Sequence, residues 1–120
     1  MEERIKWVEY KGINILLSDY KKLNGPDFVK TIQESEKMTL NSGNKIVYAI
    51  NDITDSVMGN ESTAAAKHWE ANCKEKGIDL KLALVGIAGI KKVLASLIKR
   101  NAYFASSLDD AKEWLLKQKQ

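Results

Sequence analysis

The sequence has one cysteine, Cys73, one histidine, His68, and one proline, Pro26. A lone cysteine excludes an internal disulfide and a cysteine zinc cluster, and a reducing compartment is expected. The lone histidine has no second histidine at metal-ligand spacing and no nucleophile beside it in the sequence. A surface or boundary position is expected for it. Acidic residues are scattered, with nothing to pair two of them as a general acid and base. No catalytic constellation results, so the expectation is a protein that is not an enzyme and needs no cofactor and no metal. The longest apolar stretch, Leu82 to Ile90, falls far short of the roughly 20 residues a membrane-spanning helix needs. Met1-Glu2-Glu3-Arg4 leads into a strand-like pattern without the apolar core of a signal peptide, and a cytoplasmic protein is expected. Charge of one sign is also missing. The 19 basic and 16 acidic residues leave a net +3, too mild to argue for nucleic acid.

What is present suits one globular domain over residues 1–120. Apolar residues are 44% and charged residues 29% of the chain, enough to bury one core without disulfides or metals. Ile5–Tyr10 and Ile13–Ser18 are short alternating segments, and Lys11-Gly12 between them reads as a tight hairpin turn. Ile13, Ile15 and Leu17 share the face expected to meet the core. Asn24-Gly25-Pro26-Asp27 opens a helix to about Leu40, because proline suits the first helical position and Asp27 complements the helix dipole. Lys45–Ile50 is a nearly continuous apolar strand, the pattern of burial on both faces.

The segment Asn51–Gly59 is polar and turn-rich. Asn60 or Ser62 then caps a helix to about Lys76, with Gly77 as its stop and Ala65, Ala66, Trp69 and Cys73 as its stripe. Leu80–Ile87 is a second buried strand, interrupted by Gly86. Ile90, Val93, Leu94, Leu97 and Ile98 predict an amphipathic helix opposite Lys91, Lys92, Lys99 and Arg100. Ala102–Ala105 is a last short strand. Ser106 or Ser107 caps a closing helix with Leu108, Ala111, Trp114 and Leu115 inward. The order β-β-α-β-α-β-α-β-α predicts an α/β fold: a mixed, mostly parallel sheet of about five strands, a β-hairpin start and about four helices.

Several of these segments carry a resemblance that runs in order along nearly the whole chain. They are Asp19-Tyr20 with Leu23-Asn24-Gly25, Ile50-Asn51-Asp52, Leu84 through Lys92, and Phe104 followed by Ala111-Lys112-Glu113-Trp114-Leu115. Together they resemble the SpoIIAA-like family of the STAS and SEC14-like superfamily. The resemblance implies a regulatory protein-binding module, with another protein of the kinase or anti-sigma type as partner. In phosphorylated relatives the turn after the central strand carries Asp-Ser-Ser-Gly. Here it reads Asp55-Ser56-Val57-Met58-Gly59-Asn60-Glu61-Ser62-Thr63, without that signature. Ser56, Ser62 and Thr63 are the nearest candidate phosphoacceptors.

The same turn lies at the carboxyl end of a buried strand, where open α/β sheets place their binding sites. Asp52, Asp55, Gly59 and Asn60 are the candidate docking residues, although turn formation and capping alone account for those residue types. Gly86 and Gly89, with Lys91 and Lys92, form a candidate anion site at a helix start. They match neither a P-loop nor a dinucleotide fingerprint, and a tight turn with close helix–strand packing is the expected reason for the glycines. The basic helix face reads as a solvated surface. Trp7, Trp69 and Trp114 are expected in the core, and Cys73 is expected there as a small hydrophobe. A carrier of a small apolar or lipid-like ligand and a homodimer remain open. Neither a membrane span nor a nucleic-acid partner is expected.

Overall fold

The computed structural model describes residues 4–57, 59–86 and 102–119. Strands β1 (Ile5–Tyr10) and β2 (Ile13–Asp19) form the hairpin anticipated from the sequence. Lys11 and Gly12 at its tip have φ of 47° and 92°, the paired positive values of a type I′ turn, whose twist matches that of the strands. Helix α1 (Gly25–Leu40), strand β3 (Ile46–Asp52), helix α2 (Asn60–Glu75), strand β4 (Asp79–Val85), strand β5 (Ala102–Ala105) and helix α3 (Leu108–Lys117) follow.

The five strands lie in the order β1-β2-β3-β4-β5, with β1 antiparallel to β2 and every later neighbour pair parallel. This is an α/β fold with a mixed, mostly parallel sheet and three helices among the described residues. The helix expected over residues 90–100, with Gly89, Lys91 and Lys92, lies outside them.

Each face of the sheet has its own core. Leu16, Ala49, Leu82 and Leu84 meet Phe28 and Ile32 of α1 and Trp69 and Cys73 of α2 on one side. Ile13, Ile15, Ile50 and Ala83 meet Ala111 and Leu115 of α3 on the other. The alternation in β2 therefore has no solvent face: Leu16 and Ser18 are as buried as Ile13 and Ile15. The expected single core face gives way because helices cover this interior strand on both sides, and within β2 only Asn14, near the hairpin tip, stays exposed.

Burial imposes a polar solution on Ser18. Its hydroxyl shares a hydrogen bond with Ser35 of α1 at 2.9 Å, and Ser35 shares a second with the Tyr20 phenol at 2.7 Å. Ser35 also donates to the Thr31 carbonyl at 3.2 Å. Each bond is worth about 1 kcal/mol net, but leaving one of these buried groups unpaired costs more. Burial pushes the Tyr20 phenol well above its ordinary pKa.

Two tryptophans depart from expectation. Trp7 is 37% exposed because β1 is an edge strand that its helical neighbour only partly covers. Trp114 is half-buried, stacked on Tyr103 with centroids 4.9 Å apart and rings 6° from parallel, while Leu115 beside it is fully buried. Trp69 and Cys73 are buried as expected, whereas Ala65 and Ala66 are half-buried. Leu108 is 37% exposed in the first turn of α3. Ser107 caps that helix, accepting from the Asp110 amide at 3.1 Å.

Candidate functional site

The carboxyl ends of β2, β3 and β4 converge on the turn between Asp52 and Thr63. Asp19 and Asp52 are register partners at the ends of adjacent parallel strands, and each bends the chain after it. Asp19 Oδ1 accepts from the Lys21 amide at 2.9 Å. Asp52 Oδ1 accepts from the Thr54 amide at 3.1 Å and its hydroxyl at 2.7 Å. Both are Asx turns, the local alternative that a short carboxylate offers when a strand ends. A cation stands near each carboxylate, with Arg4 3.7 Å from Asp19 and Lys21 4.0 Å from Asp52.

The two loops are also tied through their backbones. Amides of Tyr20, Lys22 and Val57 donate to carbonyls of Asp52, Thr54 and Leu23 at 2.8, 3.0 and 2.9 Å, and the Ile53 amide donates to Val85 at 2.9 Å. Lys22 and Asp55 have φ of 64° and 57°, uncommon for non-glycine residues and maintained here by these bonds. Gly86 has φ of 84°, and Thr54 fills the space where a side chain on it would stand. Close strand–loop packing thus accounts for this glycine. The other three members of the candidate anion site, Gly89, Lys91 and Lys92, lie outside the described residues.

The candidate hydroxyls separate by burial. Ser56 is 6% exposed and donates to the Ile53 carbonyl at 2.7 Å. Ser62 is 3% exposed, accepting from the Gly59 amide at 2.8 Å and donating to the Gly59 carbonyl at 3.1 Å. Gly59, and not Asn60 or Ser62, is therefore the N-cap of α2, with Ser62 reaching back from the third position as in a capping box. The buried serines stabilise the turn. Thr63, half-buried, is the most accessible of the three candidate phosphoacceptors.

Of the candidate docking residues, Asp55, Gly59 and Asn60 are exposed and Asp52 is half-buried. Between them stands Val57, 59% exposed, the most exposed large apolar side chain among the described residues. Sequence reading passed over it because one valine in a polar turn has no periodic partner to mark it. Thr54, which wedges Asp52 against Gly86, was missed as well. Its signal was the Asp-x-Thr spacing of an Asx turn.

His68 sits elsewhere, on the outer side of α2. Its Nδ1 is 3.0 Å from Glu36 of α1, and Asn72 donates to the same carboxylate at 2.7 Å. His68 and Glu36 border a groove of about 310 Å³ with Gln33, Lys37, Leu40, Asn41 and Lys76. Six of these seven residues are polar or charged. Among the described residues no group of three or more His, Cys, Asp or Glu could hold a metal ion, and no helix is long and apolar enough to cross a membrane.

The class defined by this architecture is the α/β domain with a five-stranded mixed sheet and a tied polar turn at its carboxyl edge. No family model, curated protein or solved structure matches the chain.

Proposed function

We propose that this chain is a non-enzymatic regulatory module of STAS type that binds another protein through the Asp52–Thr63 turn and the start of α2. The observation that carries the reading is Val57: an apolar side chain 59% exposed on a turn bonded to the β2–α1 loop and to β4. A tied turn loses little conformational freedom on docking, which favours affinity. Asp55 and Asn60 flank it with polar groups suited to a rim. The partner class implied by the resemblance is a kinase or anti-sigma-type regulator, and Thr63 is the hydroxyl on this edge best placed for a phosphate.

Val57→Asp tests the docking edge. The expected result is an unchanged melting temperature with loss of the partners captured from the native host by the wild-type protein. Capture undiminished by Val57→Asp would refute the docking edge.

A second reading, the carrier of a small apolar ligand, draws on one observation. Asn51 Oδ1 and Trp69 Nε1 are buried beneath α1 and α2 without a hydrogen-bond partner. A ligand with a polar end would satisfy such atoms. The core around them is filled by Tyr20, Phe28 and Ile32, which favours the docking module. Native mass spectrometry separates the two, as a bound small molecule of constant mass would support the carrier.

A further inference from the structure

The end of the molecule opposite the proposed docking edge has a distinct chemistry. α1 and α2 each run from the carboxyl end of one parallel strand to the amino end of the next, so both helices finish at the hairpin end. α3 finishes there too. Tyr10 donates to Glu113, and the Lys119 ammonium lies 3.3 Å from where a Cβ on Gly12 would stand.

Six lysines collect at this end: Lys37, Lys45, Lys74, Lys76, Lys117 and Lys119. All are exposed, and none forms an ion pair with a described residue. Nearby carboxylates are partly occupied already: Glu113 by Lys11 at 3.3 Å, Asp79 by Lys81 at 3.1 Å, and Glu36 by His68 and Asn72. Glu9 and Glu75 remain and leave the end net positive.

Helix dipoles favour lysine in the last turns and so explain Lys37, Lys74 and Lys117. They do not explain Lys45, which stands next to β3 well beyond α1, or Lys119 beyond the cap of α3. Beside Lys45 is Ile46, 45% exposed at the start of β3.

We infer that this basic end docks the domain on an anionic membrane surface, with the lysines against lipid phosphates and Ile46 entering the headgroup boundary. The charge is spread over a whole end and not confined to a groove, which suits an extended surface. It is carried by lysine, a point charge without the bidentate fork with which arginine recognises one phosphate or carboxylate. An exposed apolar residue within a basic surface is the combination that interfacial binding uses. Docked this way, the protein points the Asp52–Thr63 turn away from the bilayer, although the inference does not depend on that turn binding anything.

The test is co-sedimentation of the full chain with phosphatidylcholine vesicles, with and without phosphatidylserine. Binding is expected only with phosphatidylserine, and it should vanish as salt rises from ~0.1 M to ~1 M, where the screening length falls from ~10 Å to ~3 Å. Each surface lysine is worth about five-fold in partition, so Lys45→Gln with Lys119→Gln should weaken binding about 25-fold. Lys30→Gln, an exposed lysine in the first half of α1 and away from this end, should not weaken it. Equal binding to both vesicle types would overturn the inference. So would capture by soluble polyglutamate without vesicle binding, which would assign the end to an acidic protein.

Discussion

Gly86→Ala probes the packing that holds the candidate site. Gly86 ends β4 with φ of 84°, and a Cβ there would lie 2.8 Å from both the amide nitrogen and the Cα of Thr54, and closer still to its hydroxyl. Two costs add. A side chain in left-handed backbone costs about 1–2 kcal/mol. Forcing extra volume against a backbone that must shift costs about 1–3 kcal/mol. The middle of the combined range is about 3.5 kcal/mol. For a domain of this size it should lower the melting temperature by roughly 14 °C, at about 4 °C per kcal/mol.

Two other glycines separate the contributions. Gly43 has φ of 77° with nothing within 4 Å of its Cβ position, so Gly43→Ala should show the conformational cost alone, about 1–2 kcal/mol. Gly59, the N-cap of α2 with φ of −111° and open space, should lose only the N-cap preference for glycine over alanine on Gly59→Ala, about 0.5–1 kcal/mol. Urea unfolding of the three variants gives the comparison. If Gly86→Ala is no worse than Gly43→Ala, Thr54 does not sit against β4 as described and the turn is not held there. Thr54→Ala in the Gly86→Ala background should recover only part of the loss, because two of the three close atoms are backbone.

Two more outcomes follow from the core. Leu115→Ala, fully buried, should cost about 3–4 kcal/mol, whereas Trp114→Ala, half-buried and stacked on Tyr103, should cost about 2 kcal/mol; reversal of that order in denaturant melts would refute the orientation of α3. Burial pushes the Cys73 thiol up to about 11, from an ordinary 9.0, so the folded protein should resist thiol reagents at pH 8 and react only after unfolding. With the folded value raised, Cys73's contribution to stability is complete below pH 9 and is lost as pH rises towards 11. A pH dependence of stability across that interval that is the same in wild type and in Cys73→Ala would show the thiol is not desolvated.

The order of the described elements was legible in the sequence because its signals are local. A two-residue Lys-Gly turn between alternating segments specifies a hairpin. Pro26 and Asp27 mark a helix start, and the apolar run around Val47–Ile50 indicates a strand covered on both sides. Cys73 in the core and His68 on the surface could also be read, because helical periodicity assigns each to a face. Tertiary structure alone decided the rest. The exposure of Trp7 depends on β1 being the sheet edge, which strand order determines and strand pattern does not. Ser18, Ser35 and Tyr20 form one buried unit although they belong to separate elements, and nothing in the spacing of three hydroxyls announces it. Ser56 and Ser62 read equally well as free hydroxyls or as structural ones, and only their burial against Ile53 and Gly59 separates the two. The lysines of the hairpin end are scattered from Lys37 to Lys119 in the chain. They become one surface because alternating strands and helices return the C-termini of α1, α2 and α3 to the same end of the sheet.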